Sequence, residues 1–195
     1  MVTCRDIIGA AFRQARVYGA GEDPSSEDAA DGLFVLQSMY DGWVSTGAFG
    51  DFTEVYKTAA YTAKEGERVV TDGAPVITIP TTFSDGSDDY GGGTGTRRAP
   101  KELSVIQVVN RTAGTTETHI YYNGAWEELE GLTLNSPAPL AYYGKAGLAA
   151  CLALEMADYF GSQVGMGVGR MAARFMAAFR DRRIASNDRG TADYY

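Results

Sequence analysis

The chain is poor in the residues that perform chemistry. Histidine occurs once in 195 residues, as His119, and cysteine twice, as Cys4 and Cys151. Histidine is the usual general base at neutral pH, so a Ser-His-Asp or Cys-His arrangement would have to pass through His119. That residue falls in the strand-like run His119-Ile120-Tyr121-Tyr122, where strand pairing accounts for it, and no Gly-x-Ser-x-Gly elbow supplies a nucleophile. The two cysteines lie inside apolar helical patterns at opposite ends of the sequence, which predicts buried free thiols in place of a disulfide. Proximity of the two would set the first and third helices side by side.

Long apolar runs are missing as well. The longest, Ala146 to Ala157, is short, Ala-rich and broken by Glu155, so no membrane span is expected. The start, Met1-Val2-Thr3-Cys4-Arg5-Asp6, lacks the basic flank and apolar run of a signal peptide, and synthesis in the cytoplasm is expected. Positive charge is scarce: 17 Lys and Arg face 25 Asp and Glu, a formal net charge of -8. A dedicated nucleic-acid binder needs a basic surface and is disfavoured. The exception is the stretch Gly165 to Gly190, where Arg170, Arg174, Arg180, Arg182, Arg183 and Arg189 meet only Asp181 and Asp188. Such asymmetry suits docking to an acidic protein surface, or else a solvated helix face.

Three further patterns carry little chemistry. Gly91-Gly92-Gly93-Thr94-Gly95-Thr96 lacks the Gly-Lys-Ser/Thr ending of a phosphate cradle. Gly165-Met166-Gly167-Val168-Gly169-Arg170 is expected between two helices, the wrong context for a dinucleotide fingerprint. Asp85, Asp88 and Asp89 lack the distal bidentate glutamate of a calcium loop and read as a solvated acidic segment. No cofactor, no metal and no enzymatic activity are expected.

What is present is a sequence of contrasting segments. Thr3 with Asp6 forms a capping-box pattern, Ile8, Ala11, Phe12 and Ala15 follow at helical spacing, and Gly19 is the expected stop. A second helix is predicted from Asp23 as N-cap and Pro24 as first helical residue, with Glu27 and Asp28 at its positive end. Its stripe is Ala29, Leu33, Leu36, Tyr40 and Trp43, and Gly47 ends it. Gly32 and Gly42 weaken it by about 1 kcal/mol each, so packing must hold it.

From Asp51 the pattern becomes strand-like. Phe52–Tyr56, Arg68–Val70, Val76–Ile79, Leu103–Val109 and His119–Tyr122 predict five or six short strands. Asn123-Gly124, followed by Ala125-Trp126-Glu127, is a hairpin signal, because both turn residues want positive φ. Residues 84–96 are expected to form a long flexible Gly-rich loop, ordered by a neighbour. Helical spacing resumes with Ala149, Leu152, Ala153, Met156, Tyr159 and Phe160, which predicts that the third helix is the most buried element. Gly161 through Gly169 is expected to break the run, and a fourth helix follows with Val168, Met171, Ala172, Phe175, Ala178 and Phe179 on one side. The expected class is α+β. Residues 1–50 and 145–185 make a four-helix bundle, interrupted by a β-rich insertion over 51–144 and followed by an extended tail, 186–195, without folding signals of its own.

This collinear order resembles the head-to-tail adaptor proteins of tailed bacteriophages and phage-like particles, including the tail accessory factors of short-tailed phages. Four stretches carry the resemblance across most of the chain. They are Asp6-Ile7-Ile8-Gly9-Ala10-Ala11-Phe12, Ser26-Glu27-Asp28-Ala29-Ala30-Asp31-Gly32-Leu33 running to Trp43, Ala60-Tyr61-Thr62-Ala63, and Leu148 to Phe160 followed by an Ala- and Arg-containing last helix. The glycine-rich loop and the Gly165–Gly169 linker depart from the pattern. The resemblance implies a structural, dodecameric ring in the virion neck, between capsid and tail, bound to a portal protein on one side and to a tail or stopper protein on the other. DNA would only pass through the lumen, whose negative walls would not retain it.

The portal contact is expected at the C-terminal end, on Arg170, Arg174, Arg182, Arg183, Arg189, Tyr194 and Tyr195. Its grounds are local positive charge and two terminal aromatics, in residue types enriched where interface energy concentrates. Contacts to a neighbouring subunit or tail component are expected on Asp85, Asp89, Tyr90, Arg97 and Arg98. Two alternatives stand beside this reading. One is another neck or tail-completion protein; the other is a carbohydrate- or ligand-binding module using Tyr56, Tyr61, Tyr90, Tyr121, Tyr122 and Trp126.

Overall fold

The computed structural model describes residues 1–19, 21–84 and 97–188, with residues 179–188 given by their backbone alone. The chain divides into two compact units, one of Met1–Ala48 with Gly131–Ala185 and the other of Phe49–Glu130.

Helix α1, Cys4–Gln14, starts as its sequence dictates. The Thr3 hydroxyl accepts from the Asp6 amide at 3.3 Å and the Asp6 carboxylate accepts from the Thr3 amide at 2.9 Å, a closed capping box. The helix stops earlier than Gly19. Ala15 is the C-cap and Arg16 takes the left-handed conformation, φ 59°, so the chain turns without a glycine. Helix α2, Ser26–Ser45, is capped by Ser25, two residues beyond the expected Asp23. The Ser25 hydroxyl takes the Asp28 amide at 3.1 Å, and the Tyr18 hydroxyl donates to the Asp28 carboxylate. Helix α3, Lys145–Phe160, has eight buried residues, Leu148–Ala153, Met156 and Ala157. Helix α4 spans Met166–Asp188.

The helices do not form the four-helix bundle interrupted by a β insertion that the sequence pattern suggests. Helices α1, α2 and α3 pack on one another, and among the described side chains of α4 only Ala172 and Phe175 are buried. The physical reason lies in composition: around α4 alanines, methionines and arginines alternate, and Met171 and Ala178, assigned to its apolar side, remain exposed. Nor is Gly161 through Gly169 one linker. Helix α4 begins at Met166, so Gly167 and Gly169 lie inside its first turns, and Ser186–Asp188, expected in the tail, are helical.

The core of this unit is built around close approach. Gly32 of α2 stands where a Cβ would lie 2.6 Å from Ile8 Cγ2 and 3.2 Å from both Met156 Cε and a Phe12 ring carbon. A side chain at this point would force the three helices apart. Phe12 meets Tyr18 and Phe160 edge-on, at 5.3 and 5.1 Å between ring centroids. The buried Tyr40 hydroxyl donates to the Pro139 carbonyl at 2.6 Å. The segment from Gly131 is tied to the chain start by an antiparallel bridge, Thr3 to Pro137, and by the Cys4 and Arg5 amides donating to the Ser136 and Leu134 carbonyls.

The other unit has nine strands among the described residues, more than the five or six expected, because several are two-residue pairs. They are β1 Thr53–Lys57, β2 Tyr61–Thr62, β3 Glu67–Thr71, β4 Ile77–Thr78, β5 Phe83–Ser84, β6 Arg97–Arg98, β7 Val105–Asn110, β8 Thr115–Tyr122 and β9 Ala125–Glu128. Five make a mixed sheet in the order β1-β3-β7-β8-β9, while β2 pairs with β4 and β5 with β6. The β1–β3 and β3–β7 pairs are parallel and the β7–β8 and β8–β9 pairs antiparallel. The last pair closes through Asn123 and Gly124 at φ 52° and 84°, the double positive φ that the dipeptide predicts. Ala63, Val69 and Ile106 form the core, with Val55, Tyr61, Phe83 and Trp126 against it.

Candidate protein interface

The described residues offer little to catalysis. His119 sits in β8 opposite Ile106 and Glu128, its Nε2 3.9 Å from the Glu117 carboxylate. Cys4 and Cys151 are buried free thiols. Burial, opposed by a backbone hydrogen bond, pushes Cys4 up to about 11. Burial, reinforced by the charge of Glu155, pushes Cys151 up to about 12. At neutral pH both are almost wholly protonated and poor nucleophiles. Among the described residues no group of three or more His, Cys, Asp or Glu side chains could hold a metal ion, and no helix is long and apolar enough to cross a membrane.

The unusual feature of the helical unit is what it leaves uncovered. Helix α4 is anchored by Phe175, which lies on Gly147 and Gly144 of the α3 N-terminus, and by Ala172, whose carbonyl lies 3.9 Å from the Cys151 sulfur. Beside this anchor is a cavity of about 280 Å³ lined by Tyr143, Ala146, Met171, Arg174 and Ala178 among others. Around the rest of the helix, Met166, Arg170, Ala173, Arg174 and Ala177 are all exposed. Met166 retains 83% of its free exposure.

A second uncovered surface lies between α2 and α3. A groove of about 590 Å³ runs along them, with Val35, Met39 and Trp43 on its floor, Phe34 and Tyr159 at its walls, and the carboxylates of Glu155 and Asp158 on one rim. Phe34 and Tyr159 are 61% and 55% exposed, so two aromatic rings stand in water. Sequence periodicity missed this groove, since it assigned Leu33 and Trp43 to the buried stripe. Both are half-buried, and Val35, Met39 and Val44 are buried beside Leu36 and Tyr40. The signal was Phe34 itself, a large apolar residue one position off the stripe.

The residues expected at interfaces are dispersed. Arg170 and Arg174 stand exposed on α4. Arg182 and Arg183 are on the same helix, described by backbone alone. Arg189, Tyr194 and Tyr195 lie outside the described residues, as do Asp85, Asp89 and Tyr90 and the glycine-rich and calcium-like patterns that contain them. Arg97 and Arg98 form β6, which pairs antiparallel with β5. The Arg98 guanidinium pairs with Glu65 and donates to the Ala99 carbonyl at 3.0 Å, so its charge is engaged within its own unit. Burial raises the Glu65 carboxyl, but Arg98, the Lys101 amide and the Ser104 hydroxyl outweigh it and hold it below its ordinary value.

The described aromatics proposed for a glycan platform do not make one exposed surface. Tyr122 is buried, Tyr61 donates to Glu67 at 3.1 Å, and Trp126 Nε1 donates to the Pro80 carbonyl at 2.8 Å with Tyr121 edge-on at 5.4 Å. Tyr56 alone of the described set is largely exposed, with Arg111 5.7 Å over its ring. The chain matches no protein-family model and no curated protein.

Proposed function

We propose that the protein is a structural head-to-tail adaptor: a dodecameric ring in the neck of a phage or phage-like particle, seated on the portal and carrying a tail or stopper protein. DNA passes through its lumen without being held. The observation that supports this reading best is the exposed, arginine-bearing surface of α4, beside a helical unit that buries only Ala172 and Phe175 of its described side chains. A helix whose described half is covered so little favours a protein whose surfaces are completed by other chains. The acidic balance of the whole chain, -8, suits a lumen that repels phosphate, and the two protonated, buried thiols favour a structural role.

In this reading the portal contact falls on the C-terminal end, from Arg170 through Tyr195. The test is binding to isolated portal rings, followed by mass measurement of the complex. The full chain should be monomeric or weakly associated alone and form a ring on the portal. Deleting residues 186–195 should leave the fold intact yet weaken binding by about 2 kcal/mol or more, the scale of buried aromatic anchors. Reversing Arg182 and Arg183 should mainly slow association and reduce its salt dependence. A truncated chain that assembles on portals with unchanged affinity overturns the portal assignment, and a chain that binds no portal at all overturns the adaptor reading.

A further inference from the structure

We propose that the groove between α2 and α3 of one copy receives the outward face of α4 of the next copy. The two surfaces are complementary in charge, and both carry exposed apolar residues. The groove has an apolar floor of Val35, Met39 and Trp43 and an acidic rim, Glu155 and Asp158. The outward face of α4 carries Met166, two small residues, Ala173 and Ala177, and two arginines, Arg170 and Arg174. Alanines let helix axes approach closely, and Met166 adds an apolar contact.

The charge spacing matches. Glu155 and Asp158 are three apart on one helix and Arg170 and Arg174 four apart on another, and each interval sets neighbouring side chains about 5 to 6 Å apart. Both carboxylates and both arginines are exposed, and none of the four enters an ion pair among the described residues. Phe34 and Tyr159 would then close over the seated helix, which accounts for two aromatic rings otherwise left in water.

Because groove and helix face are different parts of one subunit, the contact is heterologous and repeats head to tail. It deepens the ring reading and relies on it for closure, but the contact is measurable without a portal. It withdraws Arg170 and Arg174 from the portal contact given above and assigns them to the neighbouring copy, leaving Arg182, Arg183, Arg189, Tyr194 and Tyr195 to the portal.

The experiment uses the full chain at high concentration, with Ser38→Cys in the groove and Ala173→Cys on α4. The native thiols are buried. Under mild oxidation a mixture of the two single variants should give a crosslinked dimer, neither variant alone should, and one chain bearing both should give a ladder. Arg170→Glu with Arg174→Glu should weaken self-association in sedimentation about 10-fold or more, as should Glu155→Arg with Asp158→Arg; mixing these two charge-reversed proteins should restore it. Crosslinks between like positions, or no crosslinks at any concentration, overturn the inference. So does a groove reversal that abolishes portal binding while self-association persists, since the groove would then belong to the portal. A ladder from a protein that binds no portal keeps the contact and removes the adaptor reading.

Discussion

Phe175 of α4 lies directly on Gly147 of α3: a Cβ built on the glycine would sit 2.6 Å from the Phe175 Cβ and under 3.0 Å from two of its ring carbons. This ring on a missing side chain is, with Ala172, what seats the described part of α4. Gly147→Ala should lift α4, with a loss of about 1 to 3 kcal/mol in urea unfolding from overpacking. Proteolysis should then begin within α4, because α1, α2 and α3 still pack on one another. Unchanged stability and cleavage sites would show that α4 is held elsewhere.

Gly32 and Gly42 share a helix but should respond in opposite directions. At Gly42 nothing lies within 4 Å of an added Cβ, so Gly42→Ala should stabilise by up to about 1 kcal/mol through helix propensity alone. At Gly32 the added methyl meets Ile8, Met156 and Phe12, and the packing strain, about 1 to 3 kcal/mol, should exceed the same propensity gain. Thermal melts of the two variants in parallel check the sign.

Leu36 and Leu152 are both fully buried in the helical unit. Truncation of either to Ala should cost about 2 to 5 kcal/mol, the transfer term plus the cavity left behind. Equilibrium unfolding that showed less than about 1 kcal/mol at both positions would contradict the burial of these faces.

Glu65 makes the β-rich unit sensitive to acid. Its folded-state pKa lies below the ordinary value through Arg98, the Lys101 amide and the Ser104 hydroxyl, which together overcome burial. The stabilisation is therefore fully present above the unfolded carboxylate pKa of about 4.3 and is lost as pH falls through the lower folded value. Glu65→Gln should destabilise this unit at neutral pH and flatten its stability profile below about pH 5. Spectroscopic melts of Trp126 fluorescence against pH measure both effects.

The parts of the fold that were legible in the sequence are those fixed by short-range chemistry. Thr3 and Asp6 specify a cap within one turn, and Asn123-Gly124 specifies a hairpin because its dihedral angles demand those two residues. The breadth of the α3 stripe likewise follows from composition alone. The helix ends were less legible: Arg16, without a glycine's freedom, turns the chain, and Ser25 outcompetes Asp23 as a cap because its hydroxyl accepts from the Asp28 amide and, together with the Tyr18 hydroxyl, donates to the Asp28 carboxylate. The fate of α4 was hidden most deeply. Its spacing is helical, but whether Met171 and Ala178 find a partner depends on where Phe175 seats the helix, which is decided by a glycine 28 positions earlier, at Gly147. The groove was marked in the sequence by Phe34 alone, since a cleft between two helices belongs to neither segment.

The bridge from Thr3 to Pro137 sets an order of events during synthesis. Helix α1 finds backbone partners in residues 134–137 and its main packing partner in α3, Lys145–Phe160, so its full burial must wait until residue 160 has been made. The β-rich unit, drawn from one continuous stretch, is expected to condense first. Until α3 follows, the face of α1 that α2 does not cover lacks its main packing partner, so this helix is fully stabilised only long after its own residues are made.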